Sequence, residues 1–200
     1  VEALPPKQVA YTGMDALTHA IEAYVSTLHC SFTDPLALQA IEMVFDHLPA
    51  SYNGNMTARE EMHYAQCLAG MAFSNALLGI VHSMAHTLGS IFHVSHGLAD
   101  AVLLPYVIRY NEADERAKKV YDDFAKKVGA QHLYTAVEEL NKTLNIPSCL
   151  KEIIPEEAQF VAKLDEMAAL AKEDGCTKTN PIIPNEEEWK QLFMKAYKGE

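Results

Sequence analysis

The residue types best able to do chemistry concentrate in residues 79–97, GIVHSMAHTLGSIFHVSHG, which hold four of the nine histidines. His82 and His86 stand four apart inside an apolar run, so a helix would place both rings on one face, one turn from each other. His93 and His96 follow at a spacing of three, just before Gly97. A buried imidazole leaves a polar nitrogen needing a partner, and one metal ion can serve several rings at once. Upstream, Asp15 and His19 share the i, i+4 spacing. Alone this pair is weak, because an acid belongs in a first helical turn and a single histidine on an apolar face is commonly a core residue. Joined to His82 and His96, it makes a set of one carboxylate and several imidazoles, which facing helices of a bundle can converge. Such donors suit Fe²⁺ or Zn²⁺. One aspartate with three neutral histidines leaves a divalent ion with net positive charge, able to hold an alkoxide and lower the pKa of a bound alcohol.

The elements that must carry these residues read as helices throughout. Residues 1–11 look linker-like, with Pro5 and Pro6 excluding a helix there. Thr12 is the expected N-cap of a helix over 14–28, with Leu17, Ile21, Tyr24, Val25 and Leu28 at helical spacing. Asp34 followed by Pro35 predicts a helix to about Leu48, and Thr57 with Glu60 a capping box opening a helix towards Leu78. Gly79 separates or kinks that helix from one ending near Phe92, and another runs from His96 or Gly97 towards Tyr110 despite Pro105. Beyond Asn111, segments 113–128, 133–144 and 156–172 are charged and amphipathic, as outer helices are. A proline-bearing loop spans 177–184, and Asn185 with Glu188 caps a last helix. The expectation is one all-α, multi-helix domain over 1–200, with a buried N-terminal half and a more polar C-terminal half.

Composition narrows the function. Two hundred residues with 49% hydrophobic and 22% charged content are ordinary for a globular domain. A net charge of −11 argues against a nucleic-acid or anionic-membrane partner. Residues 68–81, the longest apolar stretch, fall short of the roughly 20 needed to span a bilayer. Cys30, Cys67, Cys149 and Cys176 form no close pair, which fits a reducing, cytoplasmic setting better than a disulfide framework. No secretory leader opens the chain, and its start at Val1 reads like a domain cut from something longer.

The stretches TGMDALTHAIEAYVS and AREEMHYAQCLAGMAFSNALLGIVHSMAHTLGSIFHVSHG, with LLPYVIRYN and CTKTNPIIP, closely resemble the iron-containing (group III) alcohol dehydrogenases over nearly the whole chain. The resemblance is strongest to the alcohol dehydrogenase part of bifunctional aldehyde-alcohol dehydrogenases and to butanol, propanediol and lactaldehyde reductases. It implies a dehydroquinate synthase-like C-terminal helical bundle. It also implies Asp15, His19, His82 and His96 as ligands of Fe²⁺, with Zn²⁺ compatible, and His86 as a catalytic group beside NAD(P) and the substrate that relays a proton or positions the substrate. The reaction implied is metal-assisted hydride transfer between a primary alcohol and its aldehyde, in a homo-oligomer. His93 is expected to be supporting or simply polar packing, and His29, His47, His63 and His132 match nothing in the family pattern. The Gly-rich turn of the family's N-terminal dinucleotide-binding α/β domain is missing from this chain. The resemblance therefore implies the C-terminal catalytic domain alone, metal-binding but inactive by itself. Two other readings stay open: a helical metallohydrolase, and a non-catalytic helical domain whose histidines are structural.

Overall fold

A computed structural model describes residues 3–200, and among these every regular element is helical. In chain order the helices are α1 (Pro6–Val25), α2 (Thr33–Tyr52), α3 (Met56–Ala76), α4 (Ile80–Phe92), α5 (His96–Asn111), α6 (Glu115–Lys127), α7 (Leu133–Thr143), α8 (Glu157–Val161), α9 (Leu164–Glu173) and α10 (Glu186–Lys198). Two 3₁₀ turns, Leu150–Glu152 and Gly175–Thr179, join the later ones.

The prolines near the start do not exclude a helix. Pro5 sits in extended conformation as the residue before α1 and Pro6 occupies its first position, where a missing N–H costs nothing. Thr12 is therefore a mid-helix residue whose hydroxyl donates to the Gln8 carbonyl, not a cap. Residues 6–11 of the predicted linker are the first turns of α1, Ala3, Leu4 and Pro5 precede the helix, and Val1 and Glu2 lie outside the described residues. Two further starts move by two residues, from the expected caps Asp34 and Thr57 to Phe32 and Asn55. α2 begins at Thr33, and α3 is capped by the Asn55 side chain, which accepts from Ala58 N at 3.0 Å. The predicted Asn185–Glu188 capping box is present at α10.

Helix α1 lies at the centre, packed on α2, α3, α5 and α6, while α5 packs on α4, α7 and α10. α5 is buried almost all round, and Pro105 interrupts its hydrogen-bond ladder. Proline has no N–H for the Ala101 carbonyl one turn back, and Asn141 of α7 donates to that carbonyl at 2.6 Å instead. The C-terminal half is less polar than its sequence suggests. Trp189, Tyr197, Phe160 and Phe193 rank among the largest fully buried side chains and share the main core. The segment 156–172 breaks into α8 and α9 around Ala162 and Lys163.

The junction of α3 and α4 positions the histidine stretch. Leu77 takes a left-handed φ of 61°, and the two helix axes turn by 102°. No single described helix is long and apolar enough to cross a membrane. The loop after α9 stitches this corner together. Thr179 Oγ1 donates to Leu78 O at 2.6 Å, and Asn180 Oδ1 accepts from Ile80 N at 3.3 Å. Asn180 and Asn111 exchange amide hydrogen bonds at 3.2 and 2.8 Å.

Candidate metal centre

Three helices deliver the predicted donors to one point. α1 brings Asp15 and His19, α4 brings His82 in its first turn, and α5 opens on His96. The Nε2 atoms of His19, His82 and His96 lie 3.6, 3.6 and 3.5 Å from the same oxygen, Asp15 Oδ1. Each imidazole thus stands from the carboxylate oxygen at close to the roughly 3.4 Å that separates two donors on a tetrahedral ion with bonds of about 2.1 Å. Asp15 Oδ1 and His82 Nε2 are both buried with no hydrogen-bond partner. Such orphaned atoms are costly unless a cation or proton sits between them, so the donor set fits a metal. The ring of His19 is clamped between Phe73 and His82, with centroids 4.4 and 4.6 Å away.

The electrostatics suit the same use. Burial, only partly offset by Asp15, lowers His19 to about 4, and burial likewise lowers His96, so both rings stay neutral with free lone pairs. Burial would raise Asp15, but the surrounding imidazoles outweigh it and hold the carboxyl below its ordinary value. For His82, burial opposes charge, yet the carboxylates of Glu22 and Asp15 lift it well above the usual imidazole value when only protons compete for the site.

Three acidic residues missed in the sequence take part. Asp100, fully buried on α5, places Oδ2 3.2 Å from His96 Nε2, and neither of its oxygens has a hydrogen-bond partner. Asp15, His82, His96 and Asp100 are the residues whose donor atoms all lie within 4.8 Å of one another. His19 stands outside that foursome, reaching the cluster through Asp15. More than one carboxylate thus joins the histidines, contrary to the expectation from sequence. Burial pushes Asp100 well above the ordinary carboxylate range, with the nearby Asp15 and Glu22 carboxylates acting in the same direction. The i, i+4 spacing of His96 and Asp100, the same as that of Asp15 and His19, was the available signal. Glu22, two turns along α1 from Asp15, accepts from His82 Nδ1 at 2.6 Å.

The third is Asp174, which pairs with His86. His86 is not among the converging donors. Its side chain is 46% exposed, stacks on His96 at 5.4 Å, and its Nδ1 lies 2.9 Å from Asp174 Oδ2. Asp174 Oδ1 accepts from Cys176 N at 2.8 Å, capping the 3₁₀ turn that starts at Gly175. Cys176 lies close enough to group with His86 and Asp174, but burial and the Asp174 charge push its thiol up to about 12. His93 is exposed and ends α4 as a left-handed residue with φ 55°, so it is a helix terminus and not a support of the site. His29 pairs with Asp34 at 2.9 Å and His132 stacks on Tyr134, both away from the cluster.

Comparison with known proteins bears on the same residues. A family model described as "Fe-containing alcohol dehydrogenase family, C-terminal" matches residues 9–197. The chain is 52% identical over 207 residues to the NADPH-dependent butanol dehydrogenase of Clostridium saccharobutylicum, covering 99% of this chain and 53% of that protein. It is 40% identical over 223 residues to the bifunctional aldehyde-alcohol dehydrogenase of Escherichia coli K12, covering 98% of this chain and 25% of that protein. Among solved structures, the iron-containing alcohol dehydrogenase of Thermococcus thioreducens superposes with a TM-score of 0.93 at 40% identity, over 100% of this chain and 53% of that one. A 1,3-propanediol oxidoreductase superposes with a TM-score of 0.90 at 38% identity, over 98% of this chain and 53% of that one. The chain thus spans about half the length of single-activity relatives and a quarter of the bifunctional one.

Proposed function

The chain belongs to the Fe-containing alcohol dehydrogenase family, and from that premise we propose that it is the metal-binding catalytic domain of a dehydrogenase interconverting a primary alcohol and its aldehyde. One observation carries the reading: three imidazole nitrogens on three helices converge at 3.5–3.6 Å on a buried, unpartnered aspartate oxygen. In this proposal Asp15, His19, His82 and His96 hold the ion. Iron is favoured by the family, and zinc is compatible with the same N/O donors. When bound, the ion supplies Lewis acidity to the substrate oxygen, and a nicotinamide dinucleotide supplies the hydride acceptor or donor.

The chain's own residues supply positioning and proton handling. His19 and His96, held neutral by burial, keep their lone pairs for the ion. Asp15 contributes the negative charge, and leaves a divalent ion with net positive charge towards an alcohol oxygen. His86, at the exposed edge of the cluster, has Nδ1 engaged by Asp174, which leaves Nε2 to take or return the alcohol proton. The butanol dehydrogenase relative at 52% identity points to a short primary alcohol and to NADPH.

Because the chain spans about half of such relatives, we propose that turnover requires a dinucleotide-binding half in addition to these residues. The helical metallohydrolase and the purely structural reading are outweighed by the family membership. The test loads the chain anaerobically with Fe²⁺ or with Zn²⁺, and separately assays it joined to the N-terminal half of the butanol dehydrogenase relative. Metal bound by the chain, with NADPH-linked aldehyde reduction by the joined protein only, is the expected result. NADPH-linked turnover by the 200-residue chain alone, or none by a folded, metal-loaded joined protein, would sink the proposal.

A further inference from the structure

Glu22 is buried on α1, and its carboxylate is only 3% exposed. It follows Asp15 and His19 on one face, at i+7 and i+3 respectively. Its two oxygens reach two different parts of α4. Oε1 accepts from the backbone N–H of Val81 at 2.7 Å, and Oε2 faces His82 Nδ1 at 2.6 Å. Gly79 makes room for this approach: a Cβ there would lie 2.9 Å from Glu22 Oε1 and 2.7 Å from Asn180 Oδ1. An ionised carboxylate only accepts hydrogen bonds, so the proton between it and His82 must sit on Nδ1. The lone pair of His82 is then on Nε2, the atom facing Asp15 Oδ1.

We infer that Glu22 is a positioning residue that ties the first turn of α4 to α1 with one oxygen and, with the other, fixes the His82 ring so that its Nε2 lone pair points at the ion. The inference rests on the metal reading above. A carboxylate behind a metal-ligating histidine sets ring orientation and tautomer and raises ligand basicity, and its loss weakens metal binding about 10–100-fold.

Glu22→Gln is nearly isosteric but has a single acceptor oxygen. With that oxygen on the Val81 N–H, the amide NH₂ faces His82 Nδ1, which must become an acceptor, and the ring proton moves to Nε2, where it blocks the ion. Chelator competition with Zn²⁺ is expected to show affinity falling about 10–100-fold, while the helical circular dichroism signal is retained. Asn180→Ala, which releases the neighbouring Ile80 anchor without touching His82, is expected to lower thermal stability but leave zinc affinity within about threefold, since no ligand contact is lost. In ¹⁵N-histidine NMR of metal-free protein, at a pH where the ring carries one proton, His82 is expected to be Nδ1–H in the wild type and Nε2–H in the variant. Unchanged zinc affinity or an unchanged tautomer in Glu22→Gln would overturn the inference. So would an equal loss of affinity in Asn180→Ala, because α4 would then merely have been loosened. If the wild type binds no zinc, the metal reading fails, and the tautomer comparison still decides the role of Glu22.

Discussion

At the residue scale, environment separates side chains of one type into different chemistries. Cys30 is exposed, and hydrogen bonds from the Thr33 and Phe32 backbone hold its thiol below the ordinary value, whereas burial and Asp174 push Cys176 up to about 12. Since the thiolate is the reactive form, brief iodoacetamide treatment near pH 8 should label Cys30 well before Cys176, as read by peptide mass spectrometry. Preferential labelling of Cys176 would contradict that ordering. Asp174 gives a pH prediction. Burial raises its carboxyl, but the Cys176 backbone N–H and His86 outweigh burial and hold it below the ordinary carboxylate value. A depressed folded-state value stabilises the fold above the unfolded value of about 4 and is lost as pH falls through the folded one. Asp174→Ala should therefore lower the melting temperature at pH 7, by the equivalent of about 1 kcal/mol for a lost cap. The gap from the wild type should close towards pH 3, and a gap independent of pH would count against this account.

At the element scale, helix ends and helix interruptions do the positioning. Gly79→Ala forces a methyl against Asn180 and Glu22, so a loss of about 1–3 kcal/mol in denaturant unfolding is expected from overpacking. A neutral result would mean that the α3–α4 corner can yield. Asn141→Leu removes the donor that replaces the missing Pro105 N–H at the Ala101 carbonyl, with an expected cost of about 1–3 kcal/mol for a buried acceptor left unpaired. What was legible in the sequence follows from the same physics. The i, i+4 spacing of Asp15 with His19 and the apolar imidazole run pointed to a carboxylate–imidazole set, and the family resemblance singled out His82 and His96 from the four histidines. Glu22 and Asp174 were not legible, because a single carboxylate on a helix or at its end is ordinarily solvated, and Asp100 showed only its i, i+4 spacing from His96. Only tertiary packing put Glu22 at His82 Nδ1 and Asp174 at His86 Nδ1, and buried Asp100 beside His96 Nε2. The Pro5–Pro6 pair misled because proline both breaks a helix interior and opens a helix, and the apolar face that decides between these starts only at Val9.

At the scale of the whole molecule, an all-helical body brings donors from α1, α4 and α5 to one site whose exposed edge carries His86 and His96. The large buried aromatics of α8 and α10 tie the C-terminal segments into the same core, so the part that looked peripheral in sequence is a structural half of the bundle. The central claim is that this body holds a metal ion through Asp15 and the three histidines. The most direct measurement is elemental analysis of chain purified without an affinity tag, loaded with Fe²⁺ under anaerobic conditions and desalted, beside Asp15→Ala treated identically. The account predicts one iron per wild-type chain and a near-complete loss in the variant with the fold retained. Equal iron in both, or none in the wild type, would contradict it.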